Sequence, residues 1–267
     1  ETPKREAGAP MAYAPTPLVR VEADGPVTVV TINNPDMKNA LVEEMHEAFQ
    51  ELWWELSTDR SVRAVVLTGA GTAFSAGGDV PGFIRSYEDP EYRRISQRGA
   101  KRLMEAQIDF PKPLVAAVNG PAVGLGCNLA LASDIVFMAD TAWIADTHVS
   151  IGLVCGDGGA VFWPILMGLL RCKEYLLTGD RIPADRALEL GLANRVVPAA
   201  DLLTEATAFA HRLAEQPPQA VQETKRALNL HVQAMVGRVG PFALSAESES
   251  FATDELRRTI ESFKAKV

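Results

Sequence analysis

Lys112-Pro113-Leu114-Val115-Ala116-Ala117-Val118-Asn119-Gly120-Pro121-Ala122-Val123-Gly124-Leu125-Gly126-Cys127 is the run on which the fold turns. Leu114–Val118 is short, wholly apolar and bounded by turn residues, the pattern of a strand covered on both faces. The glycines that follow predict a tight turn, and a helix is predicted over residues 125–132. No side chain from Leu114 to Ser133 is charged, and about 20 such residues would be enough to span a bilayer. Asn119, Gly120, Pro121, Gly124, Gly126 and Asn128 interrupt the stretch. A buried strand running into a buried helix explains it better than a membrane span.

Working outward, residues 63–68 form a second β-branched run, closed by Gly69-Ala70-Gly71. Residues 20–22 and Val27–Ile32 read as a hairpin around Asp24-Gly25-Pro26. Residues 41–56 and 95–110 repeat apolar positions at helical spacing, the latter stopped by Pro111 and Pro113. Residues 134–139 and Trp143–Ala145 read as further strands. Beyond about Gly158 the pattern is helical: 160–169, 172–177, Ala184–Leu190, 201–215, 218–232, 242–252 and Asp254–Lys264. Strands mixed with helices early and helices alone late predict an α/β core over residues 18–200 with a C-terminal helical region over 201–267. Pro3, Pro10, Pro15 and Pro17 predict a flexible N-terminal arm over 1–17.

Composition narrows the function. With 267 residues, 47% of them hydrophobic and 22% charged, the chain is neither disordered nor fibrous. A net charge of −8 gives no general nucleic-acid footprint. Cys127, Cys155 and Cys172 are odd in number and lack CxxC spacing, so no disulfide framework and no metal site is expected. Those thiols, with no signal-like apolar stretch near the start, point to a reducing, cytoplasmic setting.

Three glycine-bearing motifs invite chemical readings. Gly69-Ala70-Gly71 lacks the third glycine of a dinucleotide fingerprint, because Phe74 stands there. Ala73-Phe74-Ser75-Ala76-Gly77 imitates a nucleophile elbow, and with His148 and Asp157 it makes a nominal triad. The chain order Ser, His, Asp is wrong for an α/β-hydrolase, so a packed turn is the better reading. Ala76-Gly77-Gly78-Asp79 and the 120–126 turn both follow strands, where glycine lets backbone amides face outward. Leu125 stands in a first helical turn, whose amides lack intrahelical partners. Two such amides on one carbonyl oxygen make an oxyanion hole, at about 3–4 kcal/mol per donor.

These blocks resemble the crotonase (enoyl-CoA hydratase/isomerase) superfamily. The likeness rests on residues 64–69 with 73–79, on 112–127, on Asn34-Pro35 with Lys38-Asn39-Ala40-Leu41, and on Leu177-Thr178-Gly179 followed by residues 191–197. It implies an α/β fold of ββα spiral turns, a C-terminal helical trimerisation region, and a homotrimer or dimer of trimers. It also implies an acyl-coenzyme A substrate, the coenzyme being part of the substrate and no separate cofactor being needed. Its thioester carbonyl would sit between the N–H groups of Gly78 and Leu125. By the same likeness Lys38, Ala40, Ala76 and Asp79 lie along the substrate, and Phe263 and Lys266 reach the coenzyme from the end of the chain.

The chain also departs from the family. The two glutamates of the well-known hydratases fall here on Asn128 and His148. Asn128 cannot titrate, whereas His148 can act near neutral pH. Asp157 follows nine residues after His148, as in the β-diketone hydrolase branch typified by 6-oxocamphor hydrolase. Asp157 would hold one imidazole nitrogen and leave the other to draw a proton from water; its bland alternative is a helix N-cap. His148→Ala is then expected to abolish turnover with little change in melting. The likeness to that branch implies a further acid at Glu247 or Glu249; a solvated helix face is the plainer reading. The expectation is therefore a hydratase-type lyase with His148 as base. The alternatives are a C–C bond hydrolase of a β-diketone or β-keto thioester and a catalytically silent homologue.

Overall fold

The computed structural model describes Tyr13 and residues 16–265. Lys266 and most of the arm expected over 1–17 lie outside the described residues. In chain order the elements are β1 (Val19–Asp24), β2 (Val27–Ile32), α1 (Glu43–Thr58), β3 (Ala64–Gly69), α2 (Val80–Glu88), α3 (Pro90–Asp109), β4 (Leu114–Val118), β5 (Ala122–Val123), α4 (Leu125–Leu131), β6 (Ile135–Ala139), β7 (Trp143–Ala145) and α5 (His148–Ile151). There follow α6 (Gly159–Met167), α7 (Leu169–Thr178), β8 (Ile182–Pro183), α8 (Ala184–Leu190), β9 (Arg195–Val197), α9 (Leu202–Ala214), α10 (Pro218–Ser250) and α11 (Asp254–Lys264).

The main sheet has the order β1-β2-β3-β4-β6-β9, parallel throughout except for the β1–β2 hairpin. Every residue of β4 is buried, because the strand is central and both faces are covered. α9 packs along β2, β3, β4 and β6. Trp53, Phe49, Phe110 and Trp163 are among the largest fully buried side chains. A second sheet, β5-β7-β8, stands beside the first. Single bridges, Leu41 to Gly78 and Ser75 to Ala122, stitch the glycine turns together. That stitching positions the site.

Several expectations are corrected. Residues 218–232 and 242–252 do not form two helices; α10 runs unbroken through Pro241. The proline removes one amide donor, but it is exposed, and the buried stripe Gly240, Ala243, Glu247, Ser250 continues past it. Residues 85–98 belong to α2 and α3. These are divided at Asp89, whose carboxylate accepts from the N–H groups of Glu91 and Tyr92. Two-residue β5 and β8 are too short for periodicity to reveal.

Candidate active site

The two glycine turns meet at one cavity. Gly77 has φ +84°, and a Cβ there would stand 2.6 Å from the Val123 carbonyl oxygen, so only glycine lets the turns approach this closely. Leu41 N–H donates to the Gly77 carbonyl at 2.7 Å, and in that parallel bridge the Gly78 amide is left out of the ladder. Leu125 is the first residue of α4, so its amide lacks an intrahelical acceptor. Among the described residues neither amide has a hydrogen-bond partner. Gly78, Leu125, His148, Asp157 and Glu247 line the same cavity, of about 120 Å³.

The ionisable cluster lies beside them. His148 opens α5 directly after β7 and is buried; Gly124, at φ +51°, would place a Cβ 3.4 Å from its Cε1. The Nδ1 of His148 lies 2.6 Å from Asp146 Oδ1, and Nε2 lies 3.3 Å from Asp157 Oδ2. The carboxylate that orients the imidazole is therefore Asp146, which sequence reasoning missed. Asp157, expected to hold the ring from behind, flanks the other nitrogen and faces the cavity. Nor is Asp157 a helix cap, since Gly158 is the N-cap of α6. Asn128 does not line the cavity; fully buried, it donates from Nδ2 to Asp157 Oδ1 at 2.8 Å. It is a positioning residue, not a group that touches substrate.

Charge follows from this packing. Burial alone would depress the His148 imidazole, but Asp157 and Asp146 outweigh it and hold its pKa well above 6.5. Burial pushes the Asp146 carboxyl upward, yet the His148 charge and hydrogen bonds prevail and keep it below its ordinary value. Glu247, read as solvent-facing, is buried. Burial first, and then the charge of Asp157, push its pKa up to about 8. Glu249 is exposed, as expected. The ligand atoms of Asp146, His148 and Asp157 all lie within 4.8 Å of one another. The His148 ring bridges the two carboxylates of this cluster, one at each nitrogen.

The remaining candidates are scattered. Ala76 and Asp79 line the cavity; the Asp79 carboxylate also caps α2 by accepting from Gly82 N–H at 2.9 Å. Lys38 is exposed, and its carbonyl accepts from Ala76 N–H at 2.9 Å. Ala40 is buried outside the cavity lining. Phe263 packs in a satellite cluster with Phe83, Ile84 and Tyr87 of its own chain. The nominal Ser75 triad fails, because Ser75 Oγ is buried and donates to the Asn39 carbonyl at 2.8 Å.

Comparison with known proteins agrees with the likeness. The family described as enoyl-CoA hydratase/isomerase matches residues 22–267. A short-chain-enoyl-CoA hydratase of Clostridium acetobutylicum is 33% identical over 92% of this chain and 94% of its own length. A putative enoyl-CoA hydratase of Thermus thermophilus is 38% identical over 92% of this chain and 97% of its own. The crystal structure of an enoyl-CoA hydratase/isomerase from Mycobacterium paratuberculosis superposes with a TM-score of 0.88 at 45% identity, covering 92% of this chain and 98% of that one.

Proposed function

The chain belongs to the enoyl-CoA hydratase/isomerase family, and from that premise we propose that it adds water to the double bond of a 2-enoyl-coenzyme A thioester. The observation that carries this reading is one cavity lined both by two amides without a hydrogen-bond partner among the described residues and by the Asp157 and Glu247 carboxyls. The thioester oxygen binds between Gly78 and Leu125, where negative charge develops as the enolate forms. The Asp157 carboxylate, held by Asn128 and beside the His148 imidazolium, draws a proton from water as the water oxygen bonds to C3. Glu247, neutral up to about pH 8, gives its proton to C2. Proton return from Asp157 to Glu247 then resets the site. In this reading His148 orients and charges the pair in place of acting as the base.

The paired flanking of His148 favours a second reading. Water attacks the 3-keto carbon of a β-keto thioester, the C2–C3 bond breaks, and the thioester enolate is held by the same amides before protonation. A silent homologue is less well supported, because the amides and the cavity-facing carboxyls are left available. Coenzyme A enters only as part of the substrate, and the three free thiols fit a cytoplasmic setting.

Turnover of crotonyl-CoA, measured beside cleavage of acetoacetyl-CoA, tests the reading. Asp157→Asn is expected to lower hydration by about 10²–10⁴, the usual share of a positioned acid–base group. Full activity in that variant rejects the mechanism, and cleavage without hydration selects the second reading.

A further inference from the structure

One end of the cavity is polar in a way that the reaction above does not use. α1 contributes Glu43 and His46 there, and α3 contributes Tyr92, Ser96 and Gln97. His46 is buried, with 6% of its surface exposed. Among the described residues neither of its ring nitrogens has a hydrogen-bond partner. The Gln97 Nε2 amide is likewise buried and has no partner of good geometry, its side chain lying beside the Glu247 carboxyl. Buried polar atoms are nearly always satisfied by protein, water or ligand, so two open ones on a single cavity mark a place where something polar binds.

We infer that the acyl group of the natural substrate is short and carries an uncharged oxygen function, hydroxyl or keto, beyond the reacting carbons, and that His46 with Gln97 reads it. This rests on the reading that the cavity receives the acyl end of a thioester. Size sets the first half of the inference: a cavity of about 150 Å³ holds a benzene-sized group, and this one is about 120 Å³. Chemistry sets the second half. An amide N–H and an imidazole present donors together with an acceptor, which suits an oxygen that accepts or both accepts and donates. Burial lowers the His46 pKa despite the opposing charge of Glu43, so a neutral ring meets the ligand. A carboxylate in its place would face Glu43 and Asp157, both on the same lining. His46 also borders a second cavity, of about 210 Å³, that runs between α1 and α3 past Gln50 and Arg102. A Cβ on Gly99 would stand 3.5 Å from His46 Nδ1, so glycine keeps that side of the ring open.

Competition binding of saturated coenzyme A thioesters tests this without requiring turnover. Hexanoyl-CoA is compared with six-carbon thioesters bearing a keto group at C4 or C5 or a hydroxyl group at C4, C5 or C6. A site built to bond an oxygen discriminates strongly against the analogue lacking it, so at least one oxygenated thioester is expected to bind tenfold or more tighter than hexanoyl-CoA. His46→Phe is expected to erase that preference, and His46→Gln, which keeps a donor and an acceptor, to retain part of it. Equal binding of hexanoyl-CoA and every oxygenated partner by the unmodified protein overturns the inference while leaving the thioester reading intact. Failure of all the thioesters to bind overturns the reading beneath it as well. The comparison within the unmodified protein holds whether or not either variant folds.

Discussion

A buried carboxyl with a raised proton affinity leaves a mark on stability as well as on chemistry. The native pKa of Glu247, about 8, lies above its ordinary 4.5. Between those values the folded chain keeps a proton that the unfolded chain has lost, so native stability falls as pH rises across that window. Glu247→Gln is expected to flatten the dependence of Tm on pH between about 5 and 8; an unchanged slope refutes the raised affinity. His148 acts in the same sense, at higher pH. Its raised pKa contributes stability that is fully present below about 6.5 and is lost as pH rises through the higher native value. His148→Ala leaves Asp146 buried opposite no cation and should cost about 3–5 kcal/mol, read from denaturant unfolding near pH 6. Little change in melting, the expectation from sequence, was stated with Asp157 as the one named partner of the ring and without Asp146. His148 and Asp157 were legible because they fall on positions with a family precedent. Asp146 was not, since an Asp two residues before a His looks the same in any surface turn. The pairing shows only once the His148 N–H is seen turning back to Asp146 Oδ1 at 3.3 Å.

Among the elements, the glycine turns carry the greatest constraint. Gly77→Ala adds a methyl group 2.6 Å from a carbonyl oxygen at a positive φ, a combination of strain and clash worth about 1–3 kcal/mol. Its expected signature is a lower Tm together with reduced kcat/KM, because the displaced amide belongs to the neighbouring Gly78. Loss of stability at unchanged kcat/KM contradicts the coupling. Both turns were legible, as were β4, β7, α8 and α11, whose bounds match the periodicity and turn signals. The late helices were harder. Two helices were read, over 218–232 and 242–252, and that split hid the three- and four-residue spacing of Gly240, Ala243, Glu247 and Ser250. Read as one helix, that stripe of small residues places Glu247 on the packed face.

At the scale of the whole molecule, α7 presents Leu170 at 85%, Leu177 at 69% and Leu169 at 60% exposure. Apolar surface of this extent is what the homotrimer or dimer of trimers implied by the family resemblance would cover, and we propose that α7 lies in that interface. Sedimentation is expected to give a mass three or six times 28.8 kDa, and Leu170→Glu to reduce it. A monomer in the unmodified protein refutes the assembly. Sequence showed that the late helices had apolar faces to cover, but not which of them face outward, because exposure depends on packing partners distant along the chain. Glu43, Asp79 and Asp157 all line the cavity, beside the His148–Asp146 pair. Free fatty acids and other salts therefore meet repulsion at this threshold, while the same acyl chains masked as thioesters do not. Should the C–C cleaving reaction operate, its carboxylate product would be expelled by the charge that helped make it, and product inhibition by free acids would be weak.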